Sequence, residues 1–313
     1  MRKYVLTMLA LASFITIQSF VLTNEPATKA ALGKLLFFDP ILSKDSTISC
    51  ASCHRPGFAF ADTSAVSTGV GGSKGARNTP SAMNVLLQRT FFWDGRAKTL
   101  EEQALKPIEN PVEMNLPVDV AVHRLQQSAT YSAYFQKIFN SEPTAQHLAT
   151  ALAAFERTLE TSKSPFDDWK FRNKPDAVSD SVKRGFEIFN TKGKCIQCHF
   201  GSNLALNEFR NIGLFDGKAF NDSGRMVITG NIEDLGRFKV APLRNVAVTA
   251  PYMHNGMFKT LEEVIDFYNE TGTVIKYPVN KDTSLAKPLG LTVAEKADLK
   301  AFLVSLTDRQ FIK

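Results

Sequence analysis

The chain has 313 residues, a formal net charge of +6, 44% hydrophobic and 22% charged residues. That length holds two domains of ordinary size with a core each, and the composition is that of a soluble globular protein. No Lys/Arg run is long enough for a nucleic-acid footprint, so no nucleic-acid partner is expected.

Arg2 and Lys3 precede an apolar run from Tyr4 to about Leu22, the basic-then-apolar pattern of an export signal. The run nearly reaches the ~20 residues that span a bilayer. No clear A-x-A site precedes Asn24, so residues 1–23 are read as a signal peptide or an N-terminal anchor. No cysteine follows the run, which excludes a lipoprotein. From Thr28 to Phe38, Ala31, Leu32, Leu35 and Leu36 share one helical face, and Asp39-Pro40 ends the helix.

Cys50-Ala51-Ser52-Cys53-His54 comes next. Between Arg55 and Pro80, Gly69, Gly71, Gly72 and Gly75 crowd into a long loop. Long ordered loops are usually functional, so this one is expected to line whatever the preceding motif holds. Thr99 and Glu102 predict a capping box and a short helix through about Lys106. Pro117 begins another, to about Gln127. Thr144 to Thr161 carries Leu148, Leu152, Phe155 and Leu159 at spacings of 4, 3 and 4, a helix packed on one side.

With Pro165, Asn173, Pro175 and Asp176, the stretch Ser164 to Ser181 is the linker candidate. A helix from Ser181 to Phe189 then leads into Cys195-Ile196-Gln197-Cys198-His199. Thr260/Glu263 and Thr292/Glu295 cap two further helices, the last with Leu299, Phe302, Leu303 and Leu306 toward a core. Strand signal is slight.

The two C-x-x-C-H pentapeptides use all four cysteines. Each supplies two thiols for thioether bonds to haem vinyl groups and a histidine, His54 or His199, for the iron. Zinc would need the two pairs to converge and would not require a histidine after each. A thioredoxin-like pair would need one motif in a βαβ setting, which is lacking here. The chain is therefore read as carrying two c-type haems, held by Cys50, Cys53 and His54 and by Cys195, Cys198 and His199. Covalent haem attachment outside the cytoplasm agrees with the export signal, and the periplasm is the expected location.

The order of motifs resembles the bacterial di-haem cytochrome c peroxidase family, including its MauG-like branch. The residues that carry the likeness are LGKLLFFDPILSKDSTISCASCH (32–54), KGARNTP (74–80), FFWDGRAKTLEEQALKPIENPVEM (91–114), KCIQCH (194–199) and APLRNVAVTAPYMHNG (241–256). The resemblance implies an all-α fold of two cytochrome c-like domains, 24–172 with the peroxidatic haem and 173–313 with the electron-transfer haem. It matches Trp93 to the tryptophan between the haems, and Glu113 to the distal acid–base residue. Gln103 and Pro107 fall where other residues line that pocket. Asn78, with the carbonyls of Thr249 and Pro251, matches an inter-haem calcium site, and oxygen ligands suit such a hard cation. Hydrogen peroxide and an electron donor such as a small cytochrome c are the implied partners, and a homodimer is compatible with the likeness.

Two departures from the family matter. Its peroxidases carry a histidine in the loop before KGxRN, a sixth ligand that leaves the peroxidatic iron only after reduction. Here that position is Val70, and no histidine lies between His54 and His123. The first haem is therefore expected to be open to peroxide without reductive activation.

The second departure is at the family's distal methionine of the C-terminal haem, where this chain has Tyr268. Tyr268 as the distal ligand is the MauG-like pattern, with Met257 or Met253 as the alternative. However, the surface tryptophan of MauG-type oxidation, just before the second motif, is replaced here by Thr191-Lys192-Gly193-Lys194. His123 and His147 are read as surface residues, and His254 is expected to hydrogen-bond near the second haem.

The expected function is peroxide reduction at the His54 haem. Glu113 moves the protons, and electrons arrive through the His199/Tyr268 haem by way of Trp93. The rivals are oxidation of residues on a protein substrate by a high-valent haem, as in the MauG-like branch, and a non-catalytic di-haem electron carrier.

Overall fold

The computed structural model describes residues 25–312, so the export segment lies outside the described residues. Eleven α-helices appear among them: α1 Lys29–Phe38, α2 Cys50–Cys53, α3 Leu100–Glu109, α4 Val118–Gln127, α5 Ala129–Phe139 and α6 Ala145–Glu156 lead. α7 Pro165–Phe171, α8 Asp180–Asn190, α9 Met226–Thr229, α10 Leu261–Asn269 and α11 Val293–Ser305 follow. None of the described helices is long and apolar enough to cross a membrane.

Helix α1 starts where Thr28 Oγ1 accepts the Ala31 amide at 3.1 Å, and it buries Leu32, Leu36 and Phe37 completely or nearly so. That face packs on α6, and the crossing is close because of a glycine. A Cβ on Gly33 would stand 1.8 Å from the Ala151 carbonyl oxygen. The same device recurs later, where a Cβ on Gly185 in α8 would stand 1.9 Å from the Asp298 carbonyl oxygen in α11. Each haem motif thus follows a helix that crosses a later one through glycine.

Two large hydrophobic cores result, with a small third cluster of Val85, Phe91, Ala97, Leu100 and Ala153. Leu32, Leu36, Phe37, Ile108, Leu125, Phe135, Leu148 and Leu152 build the first; Phe166, Val182, Phe189, Leu261, Ile265, Phe302 and Leu306 belong to the second.

Several expectations need correction. Ser164–Ser181 is not an open linker: Ser164 caps α7, and Phe166 and Trp169 of that helix pack in the second core. Pro165 at the first helical position starts the helix rather than breaking one. The helix expected to end near Lys106 runs to Glu109 with Pro107 inside it. Glu102 accepts from the Lys98 amide rather than closing a capping box with Thr99. Besides helices there is one antiparallel pair, β1 Phe209–Arg210 with β2 Phe238–Lys239.

Candidate haem cavity

Both C-x-x-C-H motifs are built the same way. In the first, the chain turns as one short helix from the Ser49 cap, and the His54 amide donates to the Cys50 carbonyl at 2.9 Å. His54 Nδ1 lies 3.0 Å from the Phe60 carbonyl. A carbonyl only accepts, so Nδ1 carries the proton and Nε2 is left as the free ligand atom. Phe60 reaches this place because Ala59 and Phe60 both adopt left-handed backbone, at φ 51° and 55°.

The second motif repeats each contact. The His199 amide donates to the Cys195 carbonyl at 2.9 Å, and Nδ1 donates to the Leu204 carbonyl at 3.0 Å, with Leu204 at φ 50°. Burial lowers the pKa of both imidazoles, that of His199 to about 4, so both stand neutral as iron ligands require.

One cavity of about 910 Å³ reaches from Cys50, Cys53 and His54 to Cys195, Cys198 and His199. Among the described residues no three Cys, His, Asp or Glu side chains gather as a metal cluster, so the four thiols do not converge on one ion. All of the expected site residues line this cavity: Trp93, Gln103, Pro107 and Glu113, then Asn78, Thr249, Pro251 and Tyr268.

Glu113 sits in the tight loop after α3. Burial raises its pKa, while the hydrogen bond from Asn110 Nδ2, at 2.5 Å, works the other way. The glycine-rich loop holds this segment directly. Val70, where a histidine would stand, donates its amide to the Glu113 carbonyl at 2.8 Å. The two chains come so close that a Cβ on Gly69 would lie 2.3 Å from the Val112 oxygen. Pro107 has no N–H for the Gln103 carbonyl, which loosens α3 where it meets the cavity.

Trp93 is held from two sides. Its indole donates to the Asn78 carbonyl at 2.8 Å, and its own carbonyl accepts the Lys239 amide of β2 at 2.7 Å. The Lys239 ammonium bonds Gln88 Oε1 and the Thr90 carbonyl.

The segments around Trp93 and His254 are structural counterparts. FFWDGRAKTLEE and YMHNGMFKTLEE each close a bridge, Phe91 with Ala97 and Tyr252 with Phe258, and each enters a helix at a capping threonine. Eight residues after that threonine stands Pro107 in α3 but Tyr268 in α10. Burial is the first cause raising the Tyr268 pKa, and the Cys198 and Cys195 sulfurs are the next, which places the phenol by the second motif. Met253 lines the cavity and Met257 does not.

The histidines differ in part from expectation. His123 is exposed, but His147 is half-buried and stacks on Phe139 at 4.4 Å. The His254 ring makes no hydrogen bond among the described residues. It stacks on Phe238 at 3.7 Å, and its backbone carbonyl accepts from the Asn78 amide at 2.7 Å.

A family model, described as di-haem cytochrome c peroxidase, matches residues 27–175. The methylamine utilization protein MauG of Methylorubrum extorquens is 39% identical over 89% of this chain and 78% of its own length. The cytochrome c551 peroxidase of Nitrosomonas europaea is 40% identical over 78% of this chain and 73% of its own. The chain belongs to the di-haem cytochrome c peroxidase family. Among solved structures, a MauG-like protein associated with microbial copper homeostasis superposes with a TM-score of 0.83 at 33% identity, covering 92% of each chain.

Membership implies two c-type haems, and the residues present fit them. Both imidazoles offer Nε2 into the cavity. Lys239 is an inward-facing ammonium without a carboxylate partner among the described residues, and burial lowers its pKa to about 8. A propionate-bearing group bound in the cavity would supply a negative charge for it.

Proposed function

We propose that this chain reduces hydrogen peroxide to water in the cavity beside His54, using electrons from a small cytochrome c or a similar donor protein. The observation that carries the reading is the inequality of two otherwise matching sites. At the same helix position the first offers Pro107, which has no group to give a metal, and the second offers Tyr268. With haem bound, Tyr268 would offer a phenol oxygen to the second site, and Pro107 would offer the first no such group. When bound, haem iron supplies the redox chemistry for peroxide cleavage.

The chain's own residues handle protons and position. Glu113, with its pKa raised by burial, takes a proton from one peroxide oxygen and returns it to the other. General acid–base help of this kind contributes roughly 10²–10⁴-fold. Gln103 and Pro107 shape the pocket wall. Trp93 stands between the two haem-bearing units as the electron bridge, held rigid by Asn78 and Lys239. Asn78, whose Nδ2 donates to the Ser64 and Ala65 carbonyls, and the carbonyls of Thr249 and Pro251 would be the oxygen donors for a calcium ion. The two units are residues 24–172 and 173–313, and α7 at the end of the first packs its Phe166 into the second core. Export to the periplasm and assembly as a homodimer complete the reading.

Steady-state peroxide turnover with a reduced small cytochrome c tests it. Turnover without prior reduction is expected, and Glu113→Gln lowers it about 100-fold or more while leaving both haem spectra in place. An unchanged rate removes Glu113 from the mechanism; no turnover by haem-loaded wild type ends the reading.

A second reading, oxidation of residues on a protein substrate, is favoured by Tyr268 on the second site. Peroxide added alone then yields a long-lived state oxidised by two electrons; its immediate decay speaks for simple peroxide reduction.

A further inference from the structure

Glu156, the last residue of α6, is 7% exposed and lines the cavity beside Cys50. Among the described residues its carboxyl has neither a hydrogen-bond partner nor an ion pair. The charged groups around it are committed elsewhere. Arg157 turns to Glu101 of α3 and donates to both its oxygens, at 2.6 and 2.9 Å. Glu113 is bonded by Asn110, and Arg124 of α4 by the carbonyls of Ile41 and Ser43. Lys29 and Lys34 of α1, and Asp119 and His123 of α4, face solvent. The Cys50 thiol of α2 would be taken up, with that of Cys53, by haem attachment. A buried carboxyl with no partner favours its neutral form, and burial pushes the Glu156 pKa up to about 8.

The second core shows what packing alone asks for at this place. At the Gly33 crossing the nearest side chain is Phe155, and at the Gly185 crossing it is Phe302. Leu303 is therefore the counterpart of Glu156, and it is equally buried at 7%. At this position the second core has an aliphatic side chain, and the first has an acid that lines the cavity. The carboxyl is not there to complete the core.

We propose that Glu156 is a proton-relay residue of the first cavity, holding a proton at neutral pH and passing it inward as peroxide is reduced. This rests on the peroxide-reducing reading above. Conversion of one H₂O₂ to two H₂O consumes two electrons and two protons. The donor protein supplies the electrons, and Glu113 only moves the proton that peroxide brings with it. Both added protons come from solvent. Glu156 takes them one at a time, releases each to water or substrate in the cavity, and is reprotonated from outside.

The test uses Glu156→Leu, which copies the packing of the second core, and Glu156→Gln, each checked for full haem content by pyridine haemochrome. Wild-type turnover is expected to fall as pH rises through about 8, where Glu156 loses its proton. Both variants should be slower at neutral pH by roughly tenfold or more and lack that alkaline limb. Glu156→Leu should melt no lower than wild type. A wild-type rate and pH profile in Glu156→Leu overturns the proposal while leaving peroxide reduction standing; an inert, haem-loaded wild type overturns both.

Should neither variant take up haem, infrared spectra of carbon-13-glutamate-labelled protein in a Glu113→Gln background decide. A protonated-carboxyl band at neutral pH that vanishes on alkaline titration supports the relay, and its absence overturns it.

Discussion

Pro107 and Tyr268 are the difference at one helix position between two sites built on one plan. Both stand eight residues past a capping threonine, on helices that meet the same cavity. The proline offers no ligand atom; the tyrosine offers a phenol oxygen, and burial beside Cys198 and Cys195 raises its pKa unless a cation takes the proton's place. Tyr268→Phe should therefore change the optical or EPR signal of one haem and leave the other as it was. If neither signal moves, the phenol is not a ligand and Met253, which also lines the cavity, takes that role. Glu113 was expected from the family resemblance of its motif, and it lines the cavity. Glu156 was not, because nothing in its neighbourhood of the chain announces that α6 will turn it toward Cys50. The signal was available in the comparison of FERTL (155–159) with FLVSL (302–306), once both helices are known to cross a glycine.

Those crossings carry most of the packing at the level of elements. Gly33 and Gly185 let α1 meet α6 and α8 meet α11 with backbone nearly touching backbone, and the buried Phe37 and Phe189 follow one turn later toward each haem motif. Gly33→Ala or Gly185→Ala forces a methyl to within 2 Å of a carbonyl oxygen. The helices must separate, at a cost of about 1–3 kcal/mol or more. A lowered melting temperature with reduced haem incorporation is the expected result; melting like wild type would mean the crossing is looser than the structure has it. Helices α10 and α11 were readable because a capping threonine with a glutamate three residues on is a local hydrogen-bond pattern. Helix α7 stands within the Ser164–Ser181 linker candidate because Pro165 is at the first helical position, where proline costs no hydrogen bond.

Across the whole molecule the two cores are tied at the cavity rather than by a linker. Arg77 bridges Asp94 and Asp222 at 2.6 and 2.7 Å, Asn84 Nδ2 donates to Asn203 at 3.2 Å, and β2 holds Trp93 through Lys239. The haem-loaded protein should therefore melt in one cooperative transition, with calorimetry and haem absorbance giving the same midpoint. Two separated transitions would mean that these ties do not couple the halves.

The local geometry of the motifs could be read from spacing alone: two thiols and an imidazole within five residues close on one turn, His54 on Cys50 and His199 on Cys195. So could helix ends and the order of the motifs. What lay beyond reach was everything that depends on partners more than a hundred residues away. The union of both motifs in one cavity, the grip of Lys239 on Trp93 and the isolation of the Glu156 carboxyl are of this kind. Burial and charge pairing are properties of the assembled space, and the sequence neighbours of a residue do not specify them.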